Sequence, residues 1–248
     1  GSVTIIGLGP GDDHQITPAA SKALARATDV VGYIPYVERV APRPGLTLHA
    51  SDNRAEAERA YQALDLAAVG GNVVIVSSGD PGVFAMAAVV FEVLEEGPDP
   101  WVDVEISVMP GITAMLAAAA RAGAPLGHDF CVINLSDNLK PWAVIEKRLK
   151  LAAEADFAMV FYNPRSSARP KGFEKTLQIL KRSCGDDRVV IFARAVFTAQ
   201  EQIKVVPLSA ATADMADMRT VVLVGSSQTR QLSHQNQTFV YTPRAYQG

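Results

Sequence analysis

Cysteine is nearly absent from this 248-residue chain. Cys131 and Cys184 lie far apart, without the spacing of metal-ligand pairs, so no cysteine-built metal site is expected. Cys131 falls inside the apolar run FCVINL and reads as a small core residue. An excess of charge of one sign is also lacking. The 23 Lys and Arg nearly balance the 26 Asp and Glu, for a net charge of −3. Neither half of the chain is strongly basic, which argues against a nucleic-acid partner and leaves any anion to be held by a local cluster of Arg and Lys. No run approaches the roughly 20 apolar residues of a membrane helix. No signal peptide is visible either, and the opening Gly1-Ser2 reads as a scar in place of an initiator Met. A reducing, cytoplasmic setting with no membrane partner is the resulting expectation. No fixed-period repeat or low-complexity tract occurs.

What is present is an ordinary globular composition, 48% hydrophobic and 20% charged, in which short apolar runs alternate with helix-like segments. The pattern predicts strands over 3–6, 30–33, 73–76 and 104–108 in the first half, with helices over 18–27, 54–69, 82–95 and 112–122. Thr17-Pro18 and Asp80-Pro81 both read as an N-cap followed by proline at the first helical position. Phe84, Ala87, Phe91 and Leu94 recur at helical spacing and predict the buried face of the 82–95 helix. The stretch from Gly123 to His128 breaks the rhythm and divides the chain into expected domains 1–123 and 124–248. The second half predicts strands over 130–135, 158–162 and 189–193, and helices over 141–155 and 171–183. Runs at 202–206, 220–224 and 238–241 then follow with only short connections, which favours an antiparallel portion. The predicted fold class is α/β: two α/β domains, the second with a mixed sheet.

Four loops fall at the carboxyl ends of predicted strands, where open α/β sheets collect ligands. They are GLGPGD (7–12), SSGDPG (77–82), MPGIT (109–113) and FYNPRSS (161–167). The first is not a dinucleotide fingerprint. Gly7, Gly9 and Gly11 are spaced G-x-G-x-G, and Asp12 stands where the third glycine belongs, a poor neighbour for a pyrophosphate. It reads instead as a tight turn that exposes backbone near a ligand. An NAD-dependent oxidoreductase is thereby disfavoured; a non-catalytic carrier of a small ligand stays open until turnover is measured.

GLGPGD, SSGDPGVF and PGITA together resemble the tetrapyrrole methylases, and the likeness extends over essentially the whole chain to TVVLVG (220–225). GYIPYV (32–37), SDNRAEAERA (51–60), GAPLGHDFCVINLSDNLKPW (123–142) and FYNPRSSARP (161–170) are similar to one branch of that family, which methylates a precorrin and contracts its ring. The resemblance implies two domains around an active-site cleft, S-adenosylmethionine (SAM) as methyl donor, S-adenosylhomocysteine as product, a small-molecule tetrapyrrole substrate and a homodimer. The donor contacts it implies are Gly79, Asp80, Val83 and Phe84, then Thr113 and Ala114, Tyr162 and Asn163, and Thr220 and Val221. A helix N-terminus following Asp80 would suit the donor's carboxylate. A flat macrocycle rimmed by carboxylates asks for aromatic lining with basic or hydrogen-bonding groups at its edge. Tyr33, Tyr36, Asn53, Arg54, Ser136, Asn138, Lys140 and Trp142 are the candidates within the branch-like motifs. Arg54 also opens a helix with Glu56, Glu58 and Arg59 that reads as a solvated face, and Trp142 also reads as a first-turn core anchor.

Methyl transfer from a sulfonium is an in-line displacement that needs positioning rather than a metal or a covalent nucleophile. Ring contraction is more demanding, because a hydroxyl must lose its proton while a carbon–carbon bond migrates. His128 or Asp129 is the expected base, with Asp52 or Asp137 in reserve.

Overall fold

A computed structural model describes residues 1–52 and 55–246. The chain divides into two compact units, Gly1–Ala114 and Met115–Gly248. In chain order the elements of the first are β1 (Ser2–Gly7), α1 (Pro18–Arg26), β2 (Asp29–Tyr33), α2 (Ile34–Val37), β3 (Thr47–Ser51), α3 (Glu56–Ala68), β4 (Asn72–Ser77), α4 (Met86–Glu95) and β5 (Glu105–Met109). The helix α5 (Ala114–Ala122) begins at the division. After it come β6 (Gly123–Ala124), β7 (Phe130–Asn134), α6 (Trp142–Glu154), β8 (Ala158–Tyr162), α7 (Gly172–Ser183), β9 (Val189–Arg194), β10 (Gln202–Pro207), β11 (Thr220–Val224), β12 (Arg230–His234) and β13 (Gln237–Tyr241).

The first unit is a parallel sheet of order β3-β2-β4-β1-β5. Helices cover both of its faces, which is why β1, β2 and β4 read as unbroken apolar runs rather than as an alternation. Successive residues point to opposite sides. Val3, Ile5, Val31, Val73 and Ile75 pack on Ala60, Ala63 and Leu64 of α3 and on Val90 of α4, while Ile6, Val30, Val74 and Val76 pack with Ala20 of α1 and with Val37. Thr17 caps α1 as expected, its Oγ1 accepting the Ala20 N–H at 3.2 Å.

The second unit carries the mixed sheet, in the order β10-β9-β11-β8-β7. Strands β7 and β8 are parallel; β11 runs antiparallel to β8 and β9, and β10 antiparallel to β9. Ile133, Met159, Phe161, Phe192 and Val222 pack against Ile145 and Leu149 of α6 and against Phe173, Leu177 and Leu180 of α7. Phe173 meets Phe192 edge to face, with ring centroids 6.0 Å apart. Cys131 packs on the margin of this core and is only partly buried, and burial raises its thiol pKa.

Three expectations change. The Asp80-Pro81 helix start is wrong, because α4 begins at Met86 with Ala85 as its cap, and 81–85 form a turn. Its buried face is Met86, Ala87, Val90 and Val93, while Phe84 and Phe91 are each 49% exposed. The segment MAAVVFEVLE is apolar on nearly every side, so its periodicity does not single out one face. Arg59 is not on a solvated surface: it is 3% exposed. Unforeseen elements are α2, β3, β6 and β12. β3 and β12 are edge strands with polar, exposed sequences, and β6 pairs just two residues with Val240 and Tyr241. At Gly123 the backbone has φ +129, and a Cβ would lie 2.6 Å from the Val240 carbonyl oxygen.

Candidate active site

At the carboxyl ends of the first sheet three of the glycine loops converge, and two of them, GLGPGD and SSGDPG, are bonded backbone to backbone. Gly9 and Gly79 exchange N–H···O bonds of 3.2 and 3.0 Å, and Leu8 N–H donates to the Ser77 carbonyl at 2.8 Å. A Cβ on Gly7 would lie 2.2 Å from the Gly79 oxygen, and one on Gly111 would lie 2.1 Å from that same atom. These glycines are present because three loops converge on a space too small for a side chain. Asp12 caps a short 3-10 turn, Asp13–Gln15, by accepting the His14 N–H at 2.8 Å, so no helix springs directly from the first loop.

Asp80 is the clasp of this group. Its Oδ1 accepts the Gly82 N–H at 2.8 Å and its Oδ2 the Gly111 N–H at 2.9 Å, which ties the SSGDPG loop to the MPGIT loop. Beyond it Val83 is half-buried, and the exposed Phe84 is held at φ +53. Thr113 is 5% exposed beneath Gly79, and Ala114 is half-buried. Tyr33 and Tyr36 stand at the end of β2 with their rings edge to face, centroids 5.3 Å apart. Burial raises the Tyr36 phenol pKa, and a hydrogen bond with Ser78 pulls the other way. Arg39, which the sequence did not single out, braces the first loop by donating to the Leu8 carbonyl at 2.8 Å. Asn53 and Arg54 lie outside the described residues.

The second unit builds a corresponding edge. Asn134 Oδ1, at the end of β7, accepts the Ser136 N–H at 2.9 Å and the Asn163 side-chain N–H at 3.1 Å. Asn163 follows β8 at φ +51, and Tyr162 Oη accepts the Met115 N–H at 2.9 Å. Lys140 donates to the Ser136 carbonyl at 3.1 Å. Burial first, then the nearby Arg148 and Arg169 guanidiniums, lower its pKa, with Asp137 acting against them. Asn138 is exposed on the same loop. Thr220 is 4% exposed and donates to Asp217 Oδ1 at 2.8 Å, while Arg194 Nε donates to Asp217 Oδ2 at 2.7 Å. Burial opposes ionisation of Asp217, and the bonds from Arg194, Thr220 and Arg219 outweigh it, so its pKa is lowered. Val221 is buried within β11. Trp142 packs on the core from the first turn of α6 under the Lys175 ammonium, which fits the anchor reading.

Four of the seven left-handed non-glycine residues among the described residues lie on these two edges. Phe84, Asn163, Ala195 and Phe197 have φ of +53, +51, +49 and +59. Such strain persists where surrounding structure over-determines it, commonly around ligands. His128 and Asp129 are elsewhere. They precede β7, at its amino end, about 16 Å from Asn134 at roughly 3.3 Å per residue. There His128 Nδ1 accepts the Asp129 N–H at 2.6 Å and its ring packs edgewise on Tyr246. Within the second unit the structure therefore does not bring them together with Ser136, Lys140 or Asn163.

Among the described residues no group of three or more His, Cys, Asp and Glu could hold a metal ion, and no helix is long and apolar enough to cross a membrane. A model of the family Tetrapyrrole (Corrin/Porphyrin) Methylases matches residues 2–212. A precorrin-3B C(17)-methyltransferase from Sinorhizobium sp. is 51% identical over 249 residues, which span 100% of this chain and 98% of that protein. A probable cobalt-factor III C(17)-methyltransferase from Salmonella typhimurium is 38% identical over 245 residues, covering 98% of this chain and 99% of the relative. Among solved structures, the crystal structure of the methyltransferase CobJ matches with a TM-score of 0.94 and 60% identity, over 98% of this chain and 100% of the other.

Proposed function

Because the chain belongs to the tetrapyrrole (corrin/porphyrin) methylases, we propose that it methylates C17 of precorrin-3B from SAM and contracts the ring to give precorrin-4. One observation carries the choice of substrate: 51% identity along the full length of a precorrin-3B C(17)-methyltransferase, against 38% to a cobalt-factor III enzyme. The cytoplasmic setting and the homodimer expected from the sequence belong to the same reading.

SAM, when bound, supplies an electrophilic methyl group on a sulfonium. The chain's part is to hold donor and acceptor in line. Gly79, Asp80, Val83, Phe84, Thr113 and Ala114 in the first unit, and Tyr162, Asn163, Thr220 and Val221 in the second, are proposed to hold the donor. The fit rests on what these residues offer. The 79–85 turn is exposed at Gly82 and Phe84, the 49% exposed Phe84 ring suits adenine, and Thr113 lies directly beneath Gly79. The N-terminus of α4 lies five residues beyond Pro81 rather than directly after Asp80, so the donor's carboxylate is assigned to the turn itself. Tyr33, Tyr36, Ser136, Asn138 and Lys140, with Asn53 and Arg54, are proposed to meet the macrocycle and its carboxylates.

For the contraction, the proposed base moves from His128 and Asp129 to the reserve pair. Asp137 follows β7 and Asp52 follows β3, each at the carboxyl end of its strand.

The test is incubation with SAM and either metal-free precorrin-3B or cobalt-factor III, read by mass and absorption spectra. Conversion of precorrin-3B with one S-adenosylhomocysteine released per product is expected; turnover of the cobalt form alone, or stoichiometric binding without release, refutes the proposal. In the same assay Asp137→Asn or Asp52→Asn is expected to leave a methylated, uncontracted product. His128→Ala is expected to contract normally.

A further inference from the structure

Arg59 is the one charged side chain buried among the described residues, at 3% exposure. Removing a guanidinium from water costs several kcal/mol, and an apolar side chain of similar volume would fill α3's core face without that cost. Where its hydrogen bonds go is therefore informative. Nη2 donates to the Asp52 carbonyl at 2.8 Å and Nε to Ser51 Oγ at 3.0 Å, fixing the end of β3. Nη1 reaches Met86 Sδ at 3.3 Å, at the first residue of α4. The Asp52 carbonyl also accepts the Ala55 N–H at 3.2 Å, and Ala55 in turn accepts the Arg59 backbone N–H at 3.0 Å. One guanidinium thus links the end of β3, at Ser51 and Asp52, to α3 and to Met86 at the exit of the strained turn that carries Val83 and Phe84. Tyr36 and Tyr33 lie close enough to interact electrostatically with it.

We propose that Arg59 is a positioning residue for the reaction, a strut that sets the Ser51–Asp52 loop, on the substrate side, against the Val83–Met86 turn, on the donor side. It touches neither ligand. The inference rests on the functional reading above for which ligand each loop serves. The planar fork matters as much as the charge, since an ammonium can replace one bond of the three but not their common plane. A residue that merely filled the core would show itself in stability alone.

Arg59→Met and Arg59→Lys separate the two. Expected in folded Arg59→Met enzyme is a KM for precorrin-3B raised about tenfold and a Kd for S-adenosylhomocysteine, by calorimetry, raised about threefold, with Arg59→Lys recovering part of both. Variants that melt at a different temperature yet keep KM and Kd within twofold of the parent overturn the proposal. If Arg59→Met does not fold, Arg59→Lys and Met86→Leu are read by the same criteria. A parent enzyme that leaves precorrin-3B untouched refutes the proposed substrate instead, and the calorimetric Kd, which needs no macrocycle, still decides for or against the strut.

Discussion

Asp80→Ala is expected to weaken binding of S-adenosylhomocysteine about a hundredfold, a loss of about 2.7 kcal/mol. The size follows from what the carboxylate does. Its two oxygens each accept a backbone N–H, from Gly82 and from Gly111, at 2.8 and 2.9 Å. Bonds of this kind to a charged acceptor contribute about 1.5–3 kcal/mol each, and alanine leaves both donors without that acceptor. The consequence is spatial as well as energetic, because the turn from Pro81 to Ala85 loses its tie to the loop that precedes Thr113. Asp80→Asn is expected to fall between, since an amide oxygen can keep one bond while its NH₂ faces the other N–H. Isothermal titration with S-adenosylhomocysteine checks this. A Kd for Asp80→Ala within about threefold of the parent would make the clasp irrelevant to the donor.

Gly111→Ala is expected to destabilise the first unit by about 3 kcal/mol or more and to abolish donor binding. The added Cβ would lie 2.1 Å from the Gly79 carbonyl oxygen and 2.9 Å from the Gly7 Cα. Both neighbours are backbone in a bonded loop cluster, so no flexible side chain can swing away. Gly45→Ala serves as the control, because Gly45 has φ +76 with nothing within 4 Å of the added carbon. It tests backbone strain without a clash and is expected to cost only about 1 kcal/mol. Urea unfolding of both variants decides. Equal stabilities would mean that the three loops part easily, and that close approach is not why these positions are glycine.

The alternation of apolar runs and helical stretches was legible because the first sheet is covered on both faces, so its inner strands announce themselves as VTII and VVIV. The antiparallel portion was legible from the short connections around 202–224. Elements whose stability comes from pairing and not from burial were silent: β12, RQLSH, is exposed at every residue. The four loops at strand ends were found, but their inner workings were not. Asp80-Pro81 has the sequence of a helix cap, and a clasp to Gly111, 31 residues away, leaves no local trace. Arg59 sits in a run of charges, EAERA, where only the tertiary packing of α3 decides which side chain turns inward. His128 and Asp129 share a motif with Ser136 and Lys140, yet β7 lies between them, and a five-residue strand carries the chain from one end of the sheet to the other.

The most direct measurement is a crystal structure of the protein with S-adenosylhomocysteine bound. Density for the nucleoside and methionine portions against the Gly79–Phe84 turn and Thr113, with Tyr162, Asn163, Thr220 and Val221 also in contact, is the expected result. Density seated instead at the amino ends of the strands, beside His128 or Asp156, or stacked on the Gly7–Gly11 loop in the manner of a dinucleotide, contradicts it.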